Sequence, residues 1–242
     1  MPTPLPPILC LHGGGTSSAI FSVQTRQLRS VLQAHFTFVF VNAPIETGPG
    51  PGVLPYFEGS GPYFSWLSGS ATSEAVRSVE LEAINSSIGR ALARRGMKSV
   101  DVVGVMGFSQ GGDAASLLLW QAQGGEERWS GLRFGIVICG RGQEDVVGVI
   151  GERLEVPSLH LHGLRDPWLA GSRVLTKCFQ PDNAVVMEFE GGHHIPTKRK
   201  DIERLAALAV EINKEQVMGL QRTQSVRIST AKVRDDLVSI GV

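Results

Sequence analysis

The sequence predicts one α/β domain with a doubly wound, mostly parallel sheet and helices on both faces of that sheet. Short apolar runs bounded by glycine, proline or asparagine recur along the chain, and each is typical of a buried strand. Amphipathic helical patterns lie between several of these runs, and such crossovers make successive strands parallel. The chain has 242 residues, of which 42% are hydrophobic. This length and composition suit a single domain with a large core.

Six segments are predicted as strands. Each is short and rich in β-branched or other apolar residues, as expected for strands that are covered on both faces of a sheet. They are residues 8–11, 36–41, 100–106, 134–139, 157–161 and 185–189.

The helical patterns differ in strength. Residues 74–95 and 200–213 have a strong helical period, and residues 23–35 and 111–123 a weaker one. For the longest of these helices, Ser73 suits the N-cap position and Gly96 the stop. Its predicted apolar face consists of Val76, Val79, Ala83, Ile84, Ile88, Ala91 and Leu92.

Residues 43–73 break the regular pattern. They contain six glycines, five prolines and five aromatic residues but only two charged residues. A solvated linker would be polar, whereas aromatic rings need burial or a ligand, so we predict an ordered loop over a functional site. The alternative is a loop that simply packs onto the domain. Candidate substrate-binding residues are Tyr56, Tyr63, Phe64 and Trp66 in this loop, together with Trp168.

The domain is predicted to comprise residues 1–215, and residues 216–242 form a C-terminal tail to which the sequence assigns no structure. Lysine plus arginine and aspartate plus glutamate both number 23, so the net charge gives no attraction for nucleic acid or an anionic membrane. The first residues lack the features of a signal peptide, and no apolar stretch approaches the roughly 18 residues of a membrane helix. The widely spaced Cys10, Cys139 and Cys178 indicate neither a disulfide framework nor a zinc site. We therefore expect a cytoplasmic protein.

A serine flanked by glycines lies between a predicted strand and a predicted helix, in the sequence Gly107-Phe108-Ser109-Gln110-Gly111. In a G-x-S-x-G turn of this kind the serine occupies a strained position, and side chains at the glycine positions would collide with neighbouring backbone. The pattern alone arises often by chance. Its position between strand and helix favours Ser109 as a nucleophile over a serine that merely caps the helix.

A serine nucleophile needs a base, and the base needs an acid that orients it. In a parallel sheet such groups lie just past the carboxyl ends of strands, in the chain order serine, acid, histidine. Asp166 follows the fifth predicted strand and His193 follows the sixth. We predict Ser109, Asp166 and His193 as catalytic residues, with His194 as a competing base and an Asp-Pro turn as the alternative role for Asp166.

The first predicted strand ends in His12-Gly13-Gly14-Gly15, which resembles the H-G-G-G element of esterases. In such sites backbone N–H groups stabilise the oxyanion that develops on the substrate carbonyl. We assign this role to the N–H groups of Gly14 and Gln110. A phosphate site is the alternative, but the sequence lacks a G-x-x-x-x-G-K-[ST] pattern and the third glycine of a dinucleotide fingerprint.

His160 and His162 fall on the same side of a predicted strand and raise the possibility of a metal pair. No third ligand has a useful spacing, so we predict buried or hydrogen-bonded histidines and no metal.

Together these motifs resemble the small fungal and animal serine hydrolases of the α/β-hydrolase superfamily that are often called the FSH group. The likeness extends over residues 7–213. It rests on Ile8-Leu9-Cys10-Leu11-His12-Gly13, Gly61-Pro62-Tyr63-Phe64-Ser65-Trp66, residues 107–112, the Asp166 loop and Gly191-Gly192-His193-His194-Ile195-Pro196. The resemblance implies an α/β-hydrolase fold, a triad of Ser109, Asp166 and His193, and no metal or organic cofactor.

Within this family, residues 52–55 and 169–172 are similar to thioesterases that release a polyketide from its synthase. The resemblance implies an acyl thioester substrate presented by the acyl carrier domain of a polyketide synthase. A general carboxylesterase or acyl-protein thioesterase is the first alternative, because Gln110-Gly111-Gly112 also resembles those enzymes. A non-catalytic receptor with the same fold is the second, and it would be expected to have a broken triad.

Overall fold

The fold is built on a parallel sheet of six strands. The computed structural model describes residues 4–69, 74–151 and 153–239. In the sheet the strand order is the second, first, fifth, sixth, seventh and eighth, and every neighbouring pair is parallel; the third and fourth strands form a separate antiparallel pair. The strands are β1 (Pro7–Leu11), β2 (Thr37–Val41), β3 (Ile45–Thr47), β4 (Tyr63–Ser65), β5 (Gly104–Phe108), β6 (Phe134–Ile138), β7 (Ser158–Gly163) and β8 (Ala184–Phe189).

Helices cover both faces of the sheet, which confirms the predicted fold class. Side chains alternate along each strand, so Leu9 and Leu11 enter one hydrophobic cluster, whereas Ile8 and Cys10 enter the other. The helices in the described residues are α1 (Ser18–Gln24), α2 (Arg26–Leu32), α3 (Glu74–Ala93), α4 (Gln110–Gln123), α5 (Glu144–Ile150), α6 (Leu169–Thr176) and α7 (Arg199–Ser239). The first cluster lies under α3, α4 and α5, and the second under α1, α2 and α7.

The strand order reverses between β1 and β5. The chain passes from β1 to β2 on one side and later places β5 on the other side of β1. Ligands of open parallel sheets bind in the crevice that such a reversal leaves at the carboxyl ends of the strands. Strand β1 ends at Leu11, just before the glycine turn, and β5 ends at Phe108, just before Ser109. The topology therefore places both predicted motifs beside this crevice.

Two of the predicted strands have boundaries that differ from the structure by more than one residue. The run at 100–106 begins as a 3-10 turn at Ser99–Asp101, where the Asp101 carboxylate accepts the Lys98 N–H at 2.7 Å, so β5 starts only at Gly104. Val100 is β-branched but lies in this turn and is 40% exposed. The second strand is β7, which was predicted to end at residue 161 but continues through Gly163. His162 therefore lies inside the strand.

Helix α3 buries most of its predicted apolar face, including Ile84, Ile88, Ala91 and Leu92, but differs from the prediction in its first turns. Val79 was assigned to the apolar face but is 71% exposed, whereas Arg77 and Glu80 are buried. Arg77 pairs with Glu80 at 2.6 Å, and this pairing makes burial of both charges possible. The helix ends at Ala93, two residues before the predicted end, and the turn that follows contains the predicted stop, Gly96, with φ +68° and a bond from the Met97 N–H to the Leu92 carbonyl oxygen at 3.1 Å. The predicted cap Ser73 lies outside the described residues.

Helix α4 matches the predicted helix at 111–123 to within one residue, whereas the other helices differ from the prediction. The segment 23–35 is not one helix, because Thr25 separates α1 from α2 and donates its hydroxyl to the Phe21 carbonyl oxygen at 2.7 Å. Helix α7 begins close to the predicted start but does not stop at residue 213; its backbone continues through residues 216–239 of the predicted tail. Helices α5 and α6 were not predicted. No helix among the described residues is long and apolar enough to cross a membrane.

Candidate active site

Ser109 lies in a strained turn between β5 and α4. Its backbone has φ 55° and ψ −123°, a conformation that residues with side chains rarely adopt. The flanking glycines make the turn possible. A Cβ atom on Gly107 would lie 2.0 Å from the Gly111 carbonyl oxygen, and one on Gly111 would lie 2.3 Å from the Leu11 carbonyl oxygen. This is the strand, turn and helix geometry that the G-x-S-x-G pattern predicts.

The Ser109 side chain faces a cavity and does not cap α4. The helix-capping alternative is therefore wrong. The cavity has a volume of about 270 Å³. A larger groove of about 650 Å³ lies between α2 and α7 and contains none of the predicted site residues. The cavity beside Ser109 is lined by Gly13, Gly14, Gly15, Thr16, Gln24, Thr47, Gly48, Pro49, Gly50, Pro51, Gly52, Val53, Ser65, Phe108, Ser109, Gln110, Arg141, Trp168 and His193.

His193 and Asp166 form a hydrogen-bonded pair at this cavity. His193 Nδ1 lies 2.7 Å from Asp166 Oδ2, and the Asp166 side chain is fully buried. The other Asp166 oxygen accepts the backbone N–H of Trp168 at 2.8 Å. Because a carboxylate accepts hydrogen bonds, the pairing assigns the proton to His193 Nδ1 and leaves Nε2 with its lone pair. Asp166 therefore does more than form a turn before Pro167.

The pKa of His193 lies below its ordinary value. Burial is the main cause, because desolvation disfavours the charged ring; Asp166 opposes this shift and the positive charge of Arg141 adds to it. The ring is held by two aromatic neighbours, with ring centroids 4.9 Å from Phe108 and 4.5 Å from Trp168. A neutral imidazole with a fixed orientation is ready to accept a proton from a nucleophile.

His194, the competing base, has both ring nitrogens occupied. Its Nε2 accepts the Gly192 N–H at 3.2 Å, and its Nδ1 lies 2.8 Å from the Ile195 carbonyl oxygen, to which it donates. Its ring packs edge-on against Phe189 at 5.7 Å, away from the residues that line the cavity. The geometry therefore favours His193 over His194 as the base.

The glycine turn after β1 is held by the buried His12. Its Nε2 accepts the Ala43 N–H at 3.1 Å, and its Nδ1 lies 2.8 Å from the Gly13 carbonyl oxygen. Burial lowers the pKa of His12 to about 4, so the ring is neutral and donates from Nδ1. Thr16 donates to the same oxygen at 2.7 Å. Since the peptide is planar and trans, fixing the Gly13 carbonyl also fixes the direction of the Gly14 N–H.

The second predicted oxyanion donor is Gln110, the first residue of α4. Its side chain accepts the Trp66 backbone N–H at 2.8 Å and donates to the Leu67 carbonyl oxygen at 2.9 Å. A Cβ atom on Gly14 would lie 3.0 Å from the Gln110 side-chain oxygen, so the two predicted donors are neighbours. The first N–H groups of a helix have no partner within the helix and lie at the positive end of its dipole. This arrangement suits a developing negative charge.

Two of the predicted aromatic substrate contacts have structural roles instead. Trp66 is fully buried, and its indole N–H donates to the His12 carbonyl oxygen at 2.7 Å. Phe64 packs against the core and exchanges backbone hydrogen bonds with the glycine turn, accepting from the Gly15 N–H at 2.9 Å and donating to the Thr16 carbonyl oxygen at 2.7 Å. These residues support the site from outside the cavity.

Of the other predicted aromatic contacts, one lines the cavity and two do not. Tyr56 is 85% exposed. The Tyr63 hydroxyl donates to the Phe57 carbonyl oxygen at 2.7 Å, which stabilises the loop itself. Of the predicted substrate-binding residues, Trp168 lines the cavity, whereas Tyr56, Tyr63, Phe64 and Trp66 do not.

The loop at residues 48–53 forms one wall of the cavity with its main chain. The Gly50 N–H donates to the Gly15 carbonyl oxygen at 2.9 Å. A Cβ atom on Gly15 would lie 2.2 Å from the Gly50 nitrogen, and one on Gly50 would lie 2.2 Å from the Gly14 carbonyl oxygen. This close backbone contact explains the glycines of the loop. The sequence suggested that the aromatic residues of this loop would contact a ligand, but its glycines and prolines line the cavity instead.

Sequence reasoning missed Arg141, which lines the cavity. It follows the end of β6 by three residues, and its guanidinium carbon lies 5.1 Å from the centroid of the Trp168 ring. The rule that led to Asp166 and His193, that functional groups follow strand ends, would also have found it. Buried Asp113 was missed as well; burial raises its pKa to about 7, and its Oδ1 accepts the Gly142 N–H at 2.9 Å.

Groups that could hold a metal are already hydrogen-bonded or protonated. Cys139, Asp166 and His193 each offer a ligand atom within 4.8 Å of the others. Burial raises the pKa of Cys139 to about 12, and a protonated thiol is a poor metal ligand. His160 Nε2 lies 3.0 Å from the Ser158 hydroxyl and His162 Nε2 lies 3.0 Å from that of Thr176. These two are hydrogen-bonded histidines, as the sequence predicts.

Comparisons with known proteins agree with this geometry. The family described as "Serine hydrolase (FSH1)" matches residues 3–205. The chain belongs to this family of serine hydrolases.

Relatives in the family include both esterases and thioesterases. Esterase mokD of Monascus pilosus is 36% identical, with 83% of this chain and 91% of that protein covered. The dihydromonacolin L-[lovastatin nonaketide synthase] thioesterase of Aspergillus terreus is 34% identical, with 81% and 87% covered. The crystal structure of Zea mays acyl-protein thioesterase 2 superposes with a TM-score of 0.55 at 17% identity, covering 88% of this chain and 95% of that one. The protein is a serine hydrolase with the α/β-hydrolase fold.

Proposed function

We propose that this serine hydrolase is a thioesterase that uses Ser109, His193 and Asp166 as its catalytic triad. The observation that carries the proposal is the buried His193–Asp166 pair, with Nδ1 and Oδ2 2.7 Å apart, at the same cavity as the strained Ser109. Relatives named as thioesterases favour a thioester substrate. No metal or organic cofactor takes part in this mechanism.

In the first half of the reaction, Ser109 Oγ attacks the thioester carbonyl carbon while His193 Nε2 takes the hydroxyl proton. Asp166 keeps the imidazole oriented and stabilises its charged form. The N–H groups of Gly14 and Gln110 hold the oxyanion of the tetrahedral intermediate. When the carbon–sulfur bond breaks, His193 returns the proton to the leaving thiolate, and the acyl group remains on Ser109 as an ester.

In the second half, water replaces the serine as nucleophile. His193 takes a proton from the water molecule as its oxygen attacks the ester carbon, and the same N–H groups hold the second oxyanion. Collapse of this intermediate breaks the bond to Ser109, whose oxygen regains the proton from His193. The products are a free thiol and a carboxylic acid, and the enzyme returns to its starting state.

The substrate we propose is a polyketide acyl chain carried on the phosphopantetheine arm of an acyl carrier domain. A relative of the chain is named as a thioesterase of a nonaketide synthase. The cavity offers Val53, Phe108 and Trp168 as apolar contacts for an acyl chain. We further propose that the protein works in the cytoplasm, where a synthase of this kind would be its partner.

A general carboxylesterase is the second candidate. Its support is that relatives such as mokD are named esterases, and a serine triad hydrolyses oxygen esters by the same steps. The experiment that separates the candidates measures kcat/KM on matched acyl-pantetheine thioesters and oxygen esters. A strong preference for thioesters supports the thioesterase, and equal or faster turnover of oxygen esters supports the esterase. A wild-type protein that turns over neither would act as a binding protein.

The triad assignment predicts the behaviour of Ser109→Ala. Removing the nucleophile is expected to lower kcat by about 10⁶, since the oxyanion hole and substrate binding alone give only residual catalysis. The matched control is Ser30→Ala, which changes an exposed serine on α2. Steady-state or single-turnover hydrolysis of the preferred ester measures both variants. A Ser109→Ala protein that kept a tenth of the wild-type kcat would refute the assignment.

A further inference from the structure

The proposed mechanism does not use Arg141, a charged residue that lines the cavity. Among the described residues that line the cavity, Arg141 carries the single permanent charge, and no carboxylate lines it. The neighbouring base, His193, is neutral because its pKa is lowered. The space in which the substrate must lie therefore has a positive charge on one wall.

Arg141 is not neutralised by the protein around it. Within the described ranges it takes part in no ion pair, and its Nε atom is buried without a hydrogen-bond partner. Asp113 is an acid that acts on it electrostatically, and burial raises the pKa of Asp113 to about 7, so this carboxyl is only partly ionised at neutral pH. A buried guanidinium N–H without a partner is costly. A ligand that supplies acceptors removes this cost.

The guanidinium is also held in place. The Gly142 N–H donates to Asp113 Oδ1 at 2.9 Å, and the Ser172 hydroxyl donates to the Gly140 carbonyl oxygen at 2.6 Å, so the backbone on both sides of Arg141 is fixed. The guanidinium carbon lies 5.1 Å from the centroid of the Trp168 ring, a cation–π distance. A group fixed before binding loses little conformational entropy when the ligand arrives.

Arg141 lies close to the reacting centre. The Trp168 ring that it contacts has its centroid 4.5 Å from that of His193. The cavity volume of about 270 Å³ leaves little space between them. The two contacts with Trp168 bring the guanidinium carbon within about 10 Å of the His193 ring centroid, so a group on the same acyl chain whose carbonyl Ser109 attacks can reach Arg141.

We infer that Arg141 is a specificity-determining residue that binds an anionic pair of oxygens on the acyl chain. This inference rests on the proposed thioesterase function. The planar guanidinium donates two parallel N–H bonds and suits a group in which two oxygens share one negative charge. A carboxylate has this chemistry, and so does the ionised enol of a 1,3-dicarbonyl group. The preferred substrate is an acyl thioester that carries such a group near the thioester carbonyl.

The test compares anionic and neutral acyl chains of equal length. The probes are pantetheine half-thioesters of dicarboxylic acids and their terminal carboxamides, together with 3,5-dioxoacyl and saturated acyl pantetheines. The variants are Arg141→Gln, which removes the charge, and Arg141→Lys, which keeps the charge but loses the planar fork. For wild type, kcat/KM is expected to favour the anionic member of at least one pair. In Arg141→Gln this preference is expected to fall by roughly ten- to a hundredfold, with Arg141→Lys between the two.

The ratio of kcat/KM for the anionic probe to that for its neutral partner distinguishes recognition of the anion from other effects of the substitution. Removing Arg141 also raises the pKa of His193, since the arginine lowers it, but this shift in the pH profile is common to both members of a pair. Arg165→Gln, at an exposed arginine outside the cavity lining, makes the same change of charge and is expected to keep the wild-type ratio.

The outcomes distinguish the inference from the function on which it rests. A reduced preference for the dicarboxylic probe identifies a carboxylate, and one for the dioxoacyl probe identifies an enolate. If wild type and Arg141→Gln show the same ratios while Ser109-dependent thioester hydrolysis persists, the role of Arg141 is wrong and the thioesterase stands. If wild type hydrolyses no thioester, the proposed function itself fails. Should Arg141→Gln not fold, an unchanged ratio in Arg141→Lys still contradicts bidentate binding.

Discussion

At the scale of single residues, two glycines determine whether Ser109 can adopt its strained turn. The sites that Cβ atoms on Gly107 and Gly111 would occupy lie against carbonyl oxygens of the neighbouring backbone. Backbone cannot move aside as a flexible side chain can, so a methyl group at either position must displace the turn or the adjacent strand. The position of Ser109 therefore depends on two residues that have no side chain.

Gly111→Ala is expected to reduce both stability and turnover. Its Cβ would lie 2.3 Å from the Leu11 carbonyl oxygen, and overpacking of this kind typically costs about 1–3 kcal/mol. The control is Gly89→Ala in α3, where a Cβ atom meets nothing within 4 Å and alanine is expected to raise the free energy of unfolding by about 0.5–1 kcal/mol. Urea unfolding and kcat measure both variants. A Gly111→Ala protein with wild-type stability and kcat would contradict the close-contact argument.

The predicted residues that the structure brings together at one site are those whose positions follow from local order along the chain. Ser109, Asp166 and His193 each follow the end of a strand, and strand ends can be located from short apolar runs. Trp66 was misjudged because its environment depends on a distant segment: its indole N–H donates to the carbonyl of His12, 54 residues away. The residue type alone does not distinguish the buried Trp66 from the exposed Tyr56.

At the scale of elements, a buried ionic cluster joins α3 to its neighbours. Arg77 bonds to Glu80 within α3 and to Asp145 of α5, and Glu80 also accepts the backbone N–H of Ser68 at 2.9 Å. Periodicity could not reveal this arrangement, because it assigns arginine and glutamate to the solvent face. For that reason the predicted apolar face included the exposed Val79.

Arg77→Met tests this cluster. The methionine fills space but leaves the buried Glu80 without its cation, a change expected to lower the free energy of unfolding by about 3–5 kcal/mol. Arg128→Met is the control, because Arg128 pairs with Glu82 and Glu126 where its own side chain is 37% exposed, and exposed pairs typically contribute about 0–1 kcal/mol. Equal losses in the two variants, measured by chemical denaturation, would show that the cluster does not bind α3 to α5.

At the scale of the whole molecule, buried histidines link stability to pH. Burial lowers the pKa of His12 to about 4 and that of His160 to about 3, from an ordinary value of 6.5. The unfolded chain therefore takes up protons near pH 6.5 that the folded chain does not. The stability from each histidine is fully present above pH 6.5 and is lost progressively as pH falls toward the folded-state pKa. Asp113, with its raised pKa, acts in the opposite direction.

His160→Gln isolates one of these contributions. Glutamine does not titrate, so the free energy of unfolding is expected to fall less between pH 7 and pH 5 than it does for wild type. The contributions of His12 and Asp113 are common to both proteins. They therefore cancel when the pH dependence of the free energy of unfolding is compared between wild type and His160→Gln. Urea unfolding at several pH values within this window provides the measurement. Parallel slopes would mean that His160 is protonated equally in the folded and unfolded states.

Shortening α7 tests the proposed extent of the catalytic unit, residues 1–215. The buried side chains that the structure describes in this helix are Ile202, Leu205, Ala206, Ala209 and Ile212. A chain that ends at Gly219 keeps all of them and is expected to retain the wild-type melting temperature and kcat/KM. A chain that ends at Leu208 loses Ala209 and Ile212 and is expected to melt at lower temperature. Loss of turnover in the longer chain would assign a catalytic contribution to the tail.

The main chain of residues 48–53 forms one wall of the cavity beside Ser109. A change in this wall alters which substrate fits without altering the residues proposed to carry out the reaction. Gly48 lines the cavity, and a Cβ atom there would meet nothing within 4 Å. In the proposed thioesterase, a larger residue at this position would leave less room for the acyl chain, while the Gly15–Gly50 contact and the proposed triad stay unchanged. Under the proposed function, a single codon can thus change the preferred acyl length in a duplicated gene, and the same position is a starting point for laboratory evolution toward new substrates.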